Sequence, residues 1–286
     1  MIKTSLAYRI TIWAGVALLL LWSLGPIYWT LQSALTPNAD FAARPIHFFP
    51  QHLTLDHFQR LLGINVDTIG GVQVWAQFRT ALFNSVVTAL AATVLCVAMS
   101  AFGGYAFTRL YFPGRNVIFF ALIATIAIPG YAVLIPLYRL MIELRLVDTH
   151  IGISLIYVSA FLPLSLWLMR SVFDALPIAL EEAAQLDGAG RLYIFFHIVL
   201  PLAGPGLTAA AILTFLGAWG QYMVPLIFSP AVTKPLTVLI PEFATKNFID
   251  YGLITASGSI AIIIPALVVI FLNRYLVSGL LAGSVK

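Results

Sequence analysis

The residues best suited to a specific interaction lie in one short polar stretch, EEAAQLDGAG, at residues 181–190. Its two adjacent carboxylates, Glu181 and Glu182, stand early in a predicted helix, where negative charge is stabilised by the helix dipole. Gly188 is placed to end that helix, because glycine readily adopts the positive φ of a helix C-terminal turn. A second short helix follows, so we expect residues 174–200 to form a helix–turn–helix elbow.

Two small residues, Ala183 and Ala184, occupy helix positions where long polar side chains are expected if the helix faces only water. Small side chains let another backbone approach closely, which favours a docking ridge for a second protein. The alternative is a helix lying on lipid, but such helices combine bulky apolar residues with Lys and Arg. The polar positions here carry Glu and Asp, so the pattern predicts protein docking.

Other kinds of chemistry find no matching motif in the sequence. There is no G-x-x-x-x-G-K-[ST] phosphate loop, no H-E-x-x-H zinc motif, no G-x-G-x-x-G turn and no basic block. His47, His52 and His57 recur every five residues, a step that does not keep metal ligands on one helical face. The single cysteine, Cys96, lies in an apolar run. We therefore expect no metal or cofactor in this chain, no nucleic-acid partner and no enzymatic activity.

The composition indicates an integral membrane protein. Hydrophobic residues make up 61% and charged residues 9% of the chain, and the mean hydropathy is +0.98. Soluble domains average about 25% charged residues. A membrane-spanning helix needs about 20 mostly apolar residues. Six stretches poor in charge meet this requirement, at about 10–33, 80–106, 116–140, 150–170, 205–228 and 252–275.

These stretches predict an all-α integral membrane protein with a single transmembrane domain over residues 1–286 and the elbow between the fourth and fifth of six helices. An even number of spans places both termini on one side, and the distribution of Lys and Arg favours the cytoplasm. Two polar segments are then external. Residues 40–78 predict a surface loop with a short amphipathic helix near 54–62. Residues 229–250 predict a compact loop that either meets a partner or only connects two spans.

The spacing within the elbow resembles the signature of a known family. The letters EAA at 182–184, Gly188 after three residues and IVLP at 198–201 after nine more fit the pattern of permease subunits of bacterial binding-protein-dependent ABC importers. The stretches FNSVVTAL, AFGGYAFTRLYFPGRN, IPGYAVLIPLYRL and TFLGAWGQYMVPL resemble carbohydrate-type permeases, and most closely the second, maltose-type permease.

The resemblance implies a set of partners. In such permeases the elbow is the coupling helix, which docks on an ATPase subunit. The residues that correspond to this contact are Glu181, Glu182, Ala183, Ala184, Asp187, Gly188 and Pro201. The resemblance also implies a heterodimer with a second permease subunit, two ATPase subunits or domains that bind ATP and Mg²⁺, and an extracytoplasmic substrate-binding protein that meets the 229–250 loop. The expected location is the lipid bilayer of the cytoplasmic (inner) membrane of a bacterium or archaeon.

Five polar and aromatic residues within the predicted spans are candidates for the solute path. They are Asn84, Tyr131, Trp219, Gln221 and Tyr222. Aromatic faces and amides suit sugars, which offer apolar C–H faces and many hydroxyl groups. The alternative use of Trp and Tyr is helix packing or anchoring at the membrane surface. Related permeases often have Trp-Asn where this chain has Trp219-Gly220, which leaves the transfer of a particular sugar contact open.

The sequence therefore predicts the permease subunit of an ABC importer for a sugar or sugar derivative. An importer for glycerol-phosphate or another polar solute shares the pattern and is the first alternative. A stand-alone secondary carrier is less well supported, because ion coupling needs ionisable groups within the spans. The six windows free of Asp, Glu, Lys and Arg, at 10–39, 80–108, 116–138, 149–169, 192–233 and 251–273, hold no ionisable group apart from histidines at their ends. A membrane scaffold that only docks another protein is the third alternative.

Overall fold

The computed structural model describes residues 6–42, 48–65, 68–69, 72–244 and 249–283, and most of them are helical. The α-helices are α1 (Leu6–Ala34), α2 (Asp56–Leu62), α3 (Val74–Arg109), α4 (Arg115–Ala124), α5 (Leu134–Glu143), α6 (His150–Ala175), α7 (Ala179–Leu186), α8 (Arg191–Ile194), α9 (Leu200–Leu202), α10 (Gly204–Trp219), α11 (Met223–Phe228), α12 (Leu236–Glu242) and α13 (Tyr251–Gly283). The shorter elements are three 3-10 turns (Asn38–Ala42, Thr125–Ala127 and Gly130–Val133), one π-helical turn (Phe195–Val199) and two paired strands, β1 (Thr68–Ile69) and β2 (Val72–Gln73).

Four of the described helices are long and apolar enough to cross a membrane. They are Tyr8–Ala34, Val74–Arg109, His150–Ala175 and Tyr251–Arg274, close to four of the predicted spans. Two further pairs of helices pass the same test only when each bent pair is taken as one span, so the described chain has four to six candidate spans. The prediction of a helical membrane protein is confirmed at this level.

The predicted span at 116–140 is not one continuous helix. The helical segments Arg115–Ala127 and Gly130–Glu143 meet at an angle of 97°. The break lies at Ile128 and Pro129, whose ψ angles of 122° and 118° are extended rather than helical. Proline cannot donate a backbone hydrogen bond and disfavours the α conformation in the residue before it, which explains the position of the break.

The predicted span at 205–228 is interrupted as well. Helix α10 ends at Trp219, and the non-helical residues 220–222 separate it from α11. At its other end, the helical segments Arg191–Leu202 and Gly204–Trp219 meet at 74°. Pro201 and Pro205 flank this bend, and each removes a backbone donor that a continuous helix would use.

The chain divides into two compact units, one of residues Met1–Arg79 and Leu239–Ile263 and the other of Thr80–Val238 and Ile264–Lys286. The prediction of a single transmembrane domain stays a prediction. The second unit is organised around α3, α6 and α10, whose facing sides are buried. Where α3 meets α6, a Cβ atom on Gly104 would lie 3.0 Å from the backbone nitrogen of Arg170. The absence of a side chain at Gly104 therefore sets how closely these two helices approach.

A buried polar cluster joins the same three helices near their middle. The Cys96 thiol of α3 donates to the Ser165 hydroxyl of α6 at 3.4 Å, and that hydroxyl lies 3.2 Å from the Thr214 hydroxyl of α10. Within a bilayer, polar side chains of neighbouring helices satisfy one another, because lipid tails offer no partner. Cys96 is thus a packing residue.

The first unit contains the short helix predicted near 54–62, which is α2. Asp250, directly before α13, is buried and accepts hydrogen bonds from Arg60 of α2 at 2.8 Å and from Asn38 at 3.0 Å. Burial raises the pKa of Asp250, but these bonds and one from the Leu253 backbone outweigh burial, so the pKa lies below its ordinary value. The carboxylate stays ionised and holds α2 against the start of α13.

The segment at 229–250 is more structured than a loop. It contains α12, with the proline of the sequence PEF, Pro241, inside that helix. The prediction of a loop is corrected to this extent, and the external location of the segment stays a prediction.

Candidate functional site

The turn of the elbow is built by hydrogen bonds around one glycine. Gly188 has a φ of +86°, and its N–H donates to the Gln185 carbonyl at 3.0 Å. The next N–H, of Ala189, donates to the Ala184 carbonyl at 2.9 Å. This pair of bonds is the Schellman arrangement that ends a helix when a residue adopts the left-handed conformation. Helix α7 therefore ends at the Gly188 turn, and the role of this turn in an elbow that docks a partner stays a prediction.

The outer surface of the elbow is open. Glu182, Ala183, Asp187 and Gly188 are exposed. A groove of about 600 Å³ follows the turn, and its lining residues are Ala184, Asp187, Gly188, Ala189, Gly190, Tyr193 and Ile198. Pro201 is also exposed but does not line the groove. The arrangement offers small side chains, one carboxylate and one aromatic ring to a segment of another protein.

Glu181 differs from the other acidic residues of the elbow because it faces inward. Its side chain is only 6% exposed, and its Oε1 atom lies 2.6 Å from Nε of Arg109 at the end of α3. Its other oxygen accepts a hydrogen bond from the Tyr105 hydroxyl at 2.9 Å. Arg109 also donates to the carbonyl of Leu176, which follows α6, at 2.8 Å. One buried ion pair therefore joins α3, α6 and the elbow.

Sequence reasoning did not find the partners of Glu181. Arg109 lies 72 residues away in sequence and stands in a basic helix end that resembles a cytoplasmic anchor. A usable signal was present in the helix period, since adjacent residues on α7 point about 100° apart and only one of Glu181 and Glu182 can face the bundle.

Asn84, a candidate for the solute path, is buried and fully hydrogen-bonded. It is 2% exposed, and its amide nitrogen donates to the carbonyls of Val232 at 2.9 Å and Lys234 at 3.0 Å. Its amide oxygen accepts from Nε2 of His150 at 2.8 Å. In this chain the Asn84 side chain holds the segment after α11 and presents no open polar surface to a solute.

Asp148 and Ser85 hold the same segment, and sequence reasoning did not identify either. The Asp148 carboxylate accepts from the backbone N–H groups of Val232 at 2.8 Å and Thr233 at 2.9 Å. The Ser85 hydroxyl accepts from the Leu236 N–H at 2.8 Å. Burial raises the pKa of Asp148, but the bonds from Thr233 and Val232 outweigh burial and place the pKa below its ordinary value.

The four other path candidates lie at the two helix breaks. Tyr131 follows the break between α4 and α5 and is 72% exposed. Trp219 ends α10, is largely buried and stacks on Phe215 with ring centroids 5.7 Å apart. Gln221 is half-buried and its carbonyl accepts from the Thr237 hydroxyl, whereas Tyr222 is exposed. Tyr131 and Tyr222 are thus the candidates that present their rings outward.

The histidines of the 40–78 segment do not form a metal site within the described residues. His57 is buried and its Nε2 lies 3.0 Å from the Thr36 carbonyl, while His52 is exposed beside Asp40. His47 lies outside the described residues. Over the described part of the chain, no group of three His, Cys, Asp or Glu side chains is arranged to hold a metal ion.

Comparison with known proteins is consistent with this geometry. The family described as "Binding-protein-dependent transport system inner membrane component" matches residues 102–281. The osmoprotective compounds uptake permease protein GgtD of Synechocystis is 36% identical over 72% of this chain and 70% of its own. The trehalose transport system permease protein SugB of Mycobacterium tuberculosis is 32% identical over 98% of this chain and 99% of its own.

The fold has a counterpart among solved structures. A crystal structure of a bacterial ABC transporter involved in the import of the acidic polysaccharide alginate contains a chain that covers 96% of this one, and 99% of that chain is covered. The TM-score is 0.79 and the sequence identity is 23%, so the likeness concerns the fold.

Proposed function

This chain belongs to the binding-protein-dependent transport system inner membrane components, and we propose that it forms one half of the path through which an ABC importer moves a sugar or sugar derivative. It pairs with a second, different permease subunit. Two ATPase subunits bind ATP and Mg²⁺ and drive the complex, since this chain has no phosphate-binding loop. A substrate-binding protein delivers the solute from outside.

The elbow is the surface on which an ATPase subunit docks. The observation that carries this assignment is the groove at the Gly188 turn, which Ala184, Gly188 and Gly190 line with almost no side chain, while Ala183 is exposed on the same helix. A partner segment can therefore approach the backbone of α7 closely. Glu182 and Asp187 are exposed and available to basic groups of the partner. The buried Glu181 instead positions the elbow through its ion pair with Arg109.

The helix breaks support a solute path on the α4–α5 and α10–α11 sides. Non-helical backbone at membrane depth is tolerated only where protein covers it or where it lines a water-filled cavity. Within this chain, residues around the α4–α5 break are exposed, Tyr131 among them. If the second permease covers the break and an aqueous path runs beside it, protein or water can bind the free backbone N–H and C=O groups. Lipid tails offer them no hydrogen-bond partner.

A sugar is the proposed cargo because exposed aromatic rings at the breaks suit the C–H faces of sugars. Two relatives carry names that refer to trehalose and to osmoprotective compounds. The segment at 229–250 is assigned to the external side, where the binding protein docks, and both termini to the cytoplasm. The alternative cargo is glycerol-phosphate. An uptake assay that compares sugars with glycerol-phosphate distinguishes the two.

The docking assignment is tested with two alanines near the cytoplasmic membrane surface. Ala183 is exposed on α7 and adjoins the groove residue Ala184 in sequence, whereas Ala175 is exposed at the end of α6. We expect Ala183→Arg to abolish copurification of the ATPase subunits and ATP-driven uptake in proteoliposomes, because an arginine side chain prevents close approach. Ala175→Arg is the matched control and should retain both. Equal copurification with the two variants, or transport by this chain without ATPase subunits, would exclude the proposal.

A further inference from the structure

We propose that helix α3 mechanically connects the elbow to the external segment 229–236, so that the nucleotide state of the ATPases changes the conformation of that segment. The proposal rests on the function proposed above and adds a specific route for the movement. It assigns Glu181, Arg109 and Asn84 as positioning residues: none of them contacts the partner or the solute, and each fixes one end of α3 to an element that does.

At the cytoplasmic end, α3 is held to the elbow by polar and aromatic contacts. The Arg109–Glu181 ion pair is buried, with the two side chains 10% and 6% exposed. The Tyr105 ring lies 5.0 Å from that of Phe195, in the π-helical turn that continues the second helix of the elbow, and Phe102 stacks on the same ring at 5.1 Å. Because these contacts lie on both helices of the elbow, a displacement of the elbow displaces the end of α3.

At the other end, α3 is held to the segment between α11 and α12. Asn84 binds two of its backbone carbonyls, and Ser85 binds the Leu236 N–H. All three bonds involve backbone atoms of the segment, so its path depends on the position of α3 and does not rely on flexible side chains. The His150 contact to Asn84 fixes the orientation of the amide.

Between these two ends α3 is a continuous helix. Asn84 and Arg109 are separated by about 38 Å along the axis, at a rise of about 1.5 Å per residue. Among the described candidate spans, α3 is the one with neither an internal proline nor a break, since α1, α6 and α13 contain Pro26, Pro163 and Pro265. An uninterrupted helix transmits an axial displacement or rotation along its length, whereas a proline provides a point of bending.

Helix α6 also reaches from the external segment to the elbow, but it transmits movement less directly. Asp148 precedes α6 and binds the same segment, and Leu176 follows α6 and accepts from Arg109. Pro163 lies between them, inside the helix. Helix α3 is therefore the stiffer of the two, and the test interrupts its connection to the elbow.

The test measures amide hydrogen exchange in the intact complex, reconstituted in lipid nanodiscs, without nucleotide and trapped with ATP, Mg²⁺ and vanadate. In the wild type we expect vanadate trapping to change exchange in peptides that cover 229–236 at least twofold. Glu181→Ala should abolish this change while the change in peptides that cover the elbow, 179–190, is retained. Asp174→Asn is the control and should behave as wild type, because the exposed Asp174 carboxylate pairs with Arg170 within α6, at 3.7 Å, and takes no part in the Arg109–Glu181 pair.

A second variant keeps the proposal testable if Glu181→Ala fails to assemble. In a Cys96→Ser background, cysteines replace Arg109 and Glu181 and are joined by a short bifunctional methanethiosulfonate reagent. The joined complex should show the vanadate-dependent change at 229–236, and reduction should remove it. The proposal is overturned if Glu181→Ala keeps the change, if the joined and reduced forms behave alike, or if the wild type shows no change at 229–236.

These outcomes are separable from a failure of the proposed function. If the wild-type complex shows no ATP-driven uptake of any sugar tested, the proposed function is wrong. If uptake is normal and the exchange at 229–236 follows nucleotide state in Glu181→Ala, the transporter assignment stands and only the route through α3 is wrong.

Discussion

Arg109 and Glu181 form a buried ion pair with Nε and Oε1 2.6 Å apart, although 72 residues separate them in sequence. The pair gives two adjacent acidic residues different roles. Glu181 faces the bundle and is bound by Arg109 of α3, whereas Glu182 is exposed on the surface of the elbow. An acidic doublet can therefore combine one structural carboxylate with one that is exposed to a partner.

Glu181→Ala should lower the stability of the permease strongly. Removing one member of a buried pair leaves the other charge uncompensated, at a cost of about 3–5 kcal/mol. A lower apparent Tm of the purified complex and faster proteolysis of the elbow are the expected readouts. Glu182→Ala is the matched control, since its exposed side chain should leave Tm unchanged. Similar Tm losses in both variants would show that the inward orientation of Glu181 is wrong.

Gly188→Ala should weaken the elbow through backbone strain alone. The φ of Gly188 is +86° and no atom lies within 4 Å of the position of an added Cβ, so the expected cost is the left-handed conformation itself, about 1–2 kcal/mol. Reduced ATPase copurification and reduced uptake are expected. Gly190→Ala is the control, because Gly190 has equal space but a φ of −73°. Comparable losses in the two variants contradict a conformational requirement at Gly188.

The segment between α11 and α12 should be protected from amide hydrogen exchange by the ionised carboxylate of Asp148. Because the folded-state pKa lies below the ordinary value of 3.8, the ionised carboxylate stabilises the folded segment above pH 3.8. This stabilisation is lost as the pH falls below that value, through the folded-state pKa. Exchange protection of the Val232 and Thr233 amides should follow the same profile. Asp148→Asn should reduce protection at neutral pH, because an amide replaces one acceptor oxygen by a donor, and Asp174→Asn should not.

Tyr131→Ala should raise the KM for sugar uptake without affecting assembly. Its ring is 72% exposed beside the α4–α5 break. Loss of an aromatic contact worth about 0.5–1.5 kcal/mol corresponds to about a two- to thirteenfold increase in KM. Uptake of radiolabelled disaccharide by the reconstituted complex measures the effect. Ile126→Ala, also exposed near the break, is the control for lost apolar surface. An unchanged KM in Tyr131→Ala removes this residue from the proposed solute path.

Local signals in the sequence correctly indicated several elements. The apolar windows located α1, α3, α6 and α13, because the length of a spanning helix depends only on its own residues. The turn at Gly188 followed from glycine's access to positive φ. The breaks within the predicted spans were harder to predict, since proline in a membrane helix is compatible with a kink, a break or a continuous helix. Whether Pro129 ends a helix depends on what neighbouring segments supply to its freed backbone groups.

By itself, the sequence determined the membrane environment, the approximate helices, the elbow and its family signature, since each depends on composition or on residues close together in the chain. Only the tertiary structure decided which polar side chains are available. It turned Glu181 inward to Arg109, assigned Asn84 and Asp148 to hold the segment between α11 and α12, and left Tyr131 exposed. The physical reason is that a polar group in an apolar bundle must find a partner, and that partner comes from whichever distant segment the fold places beside it.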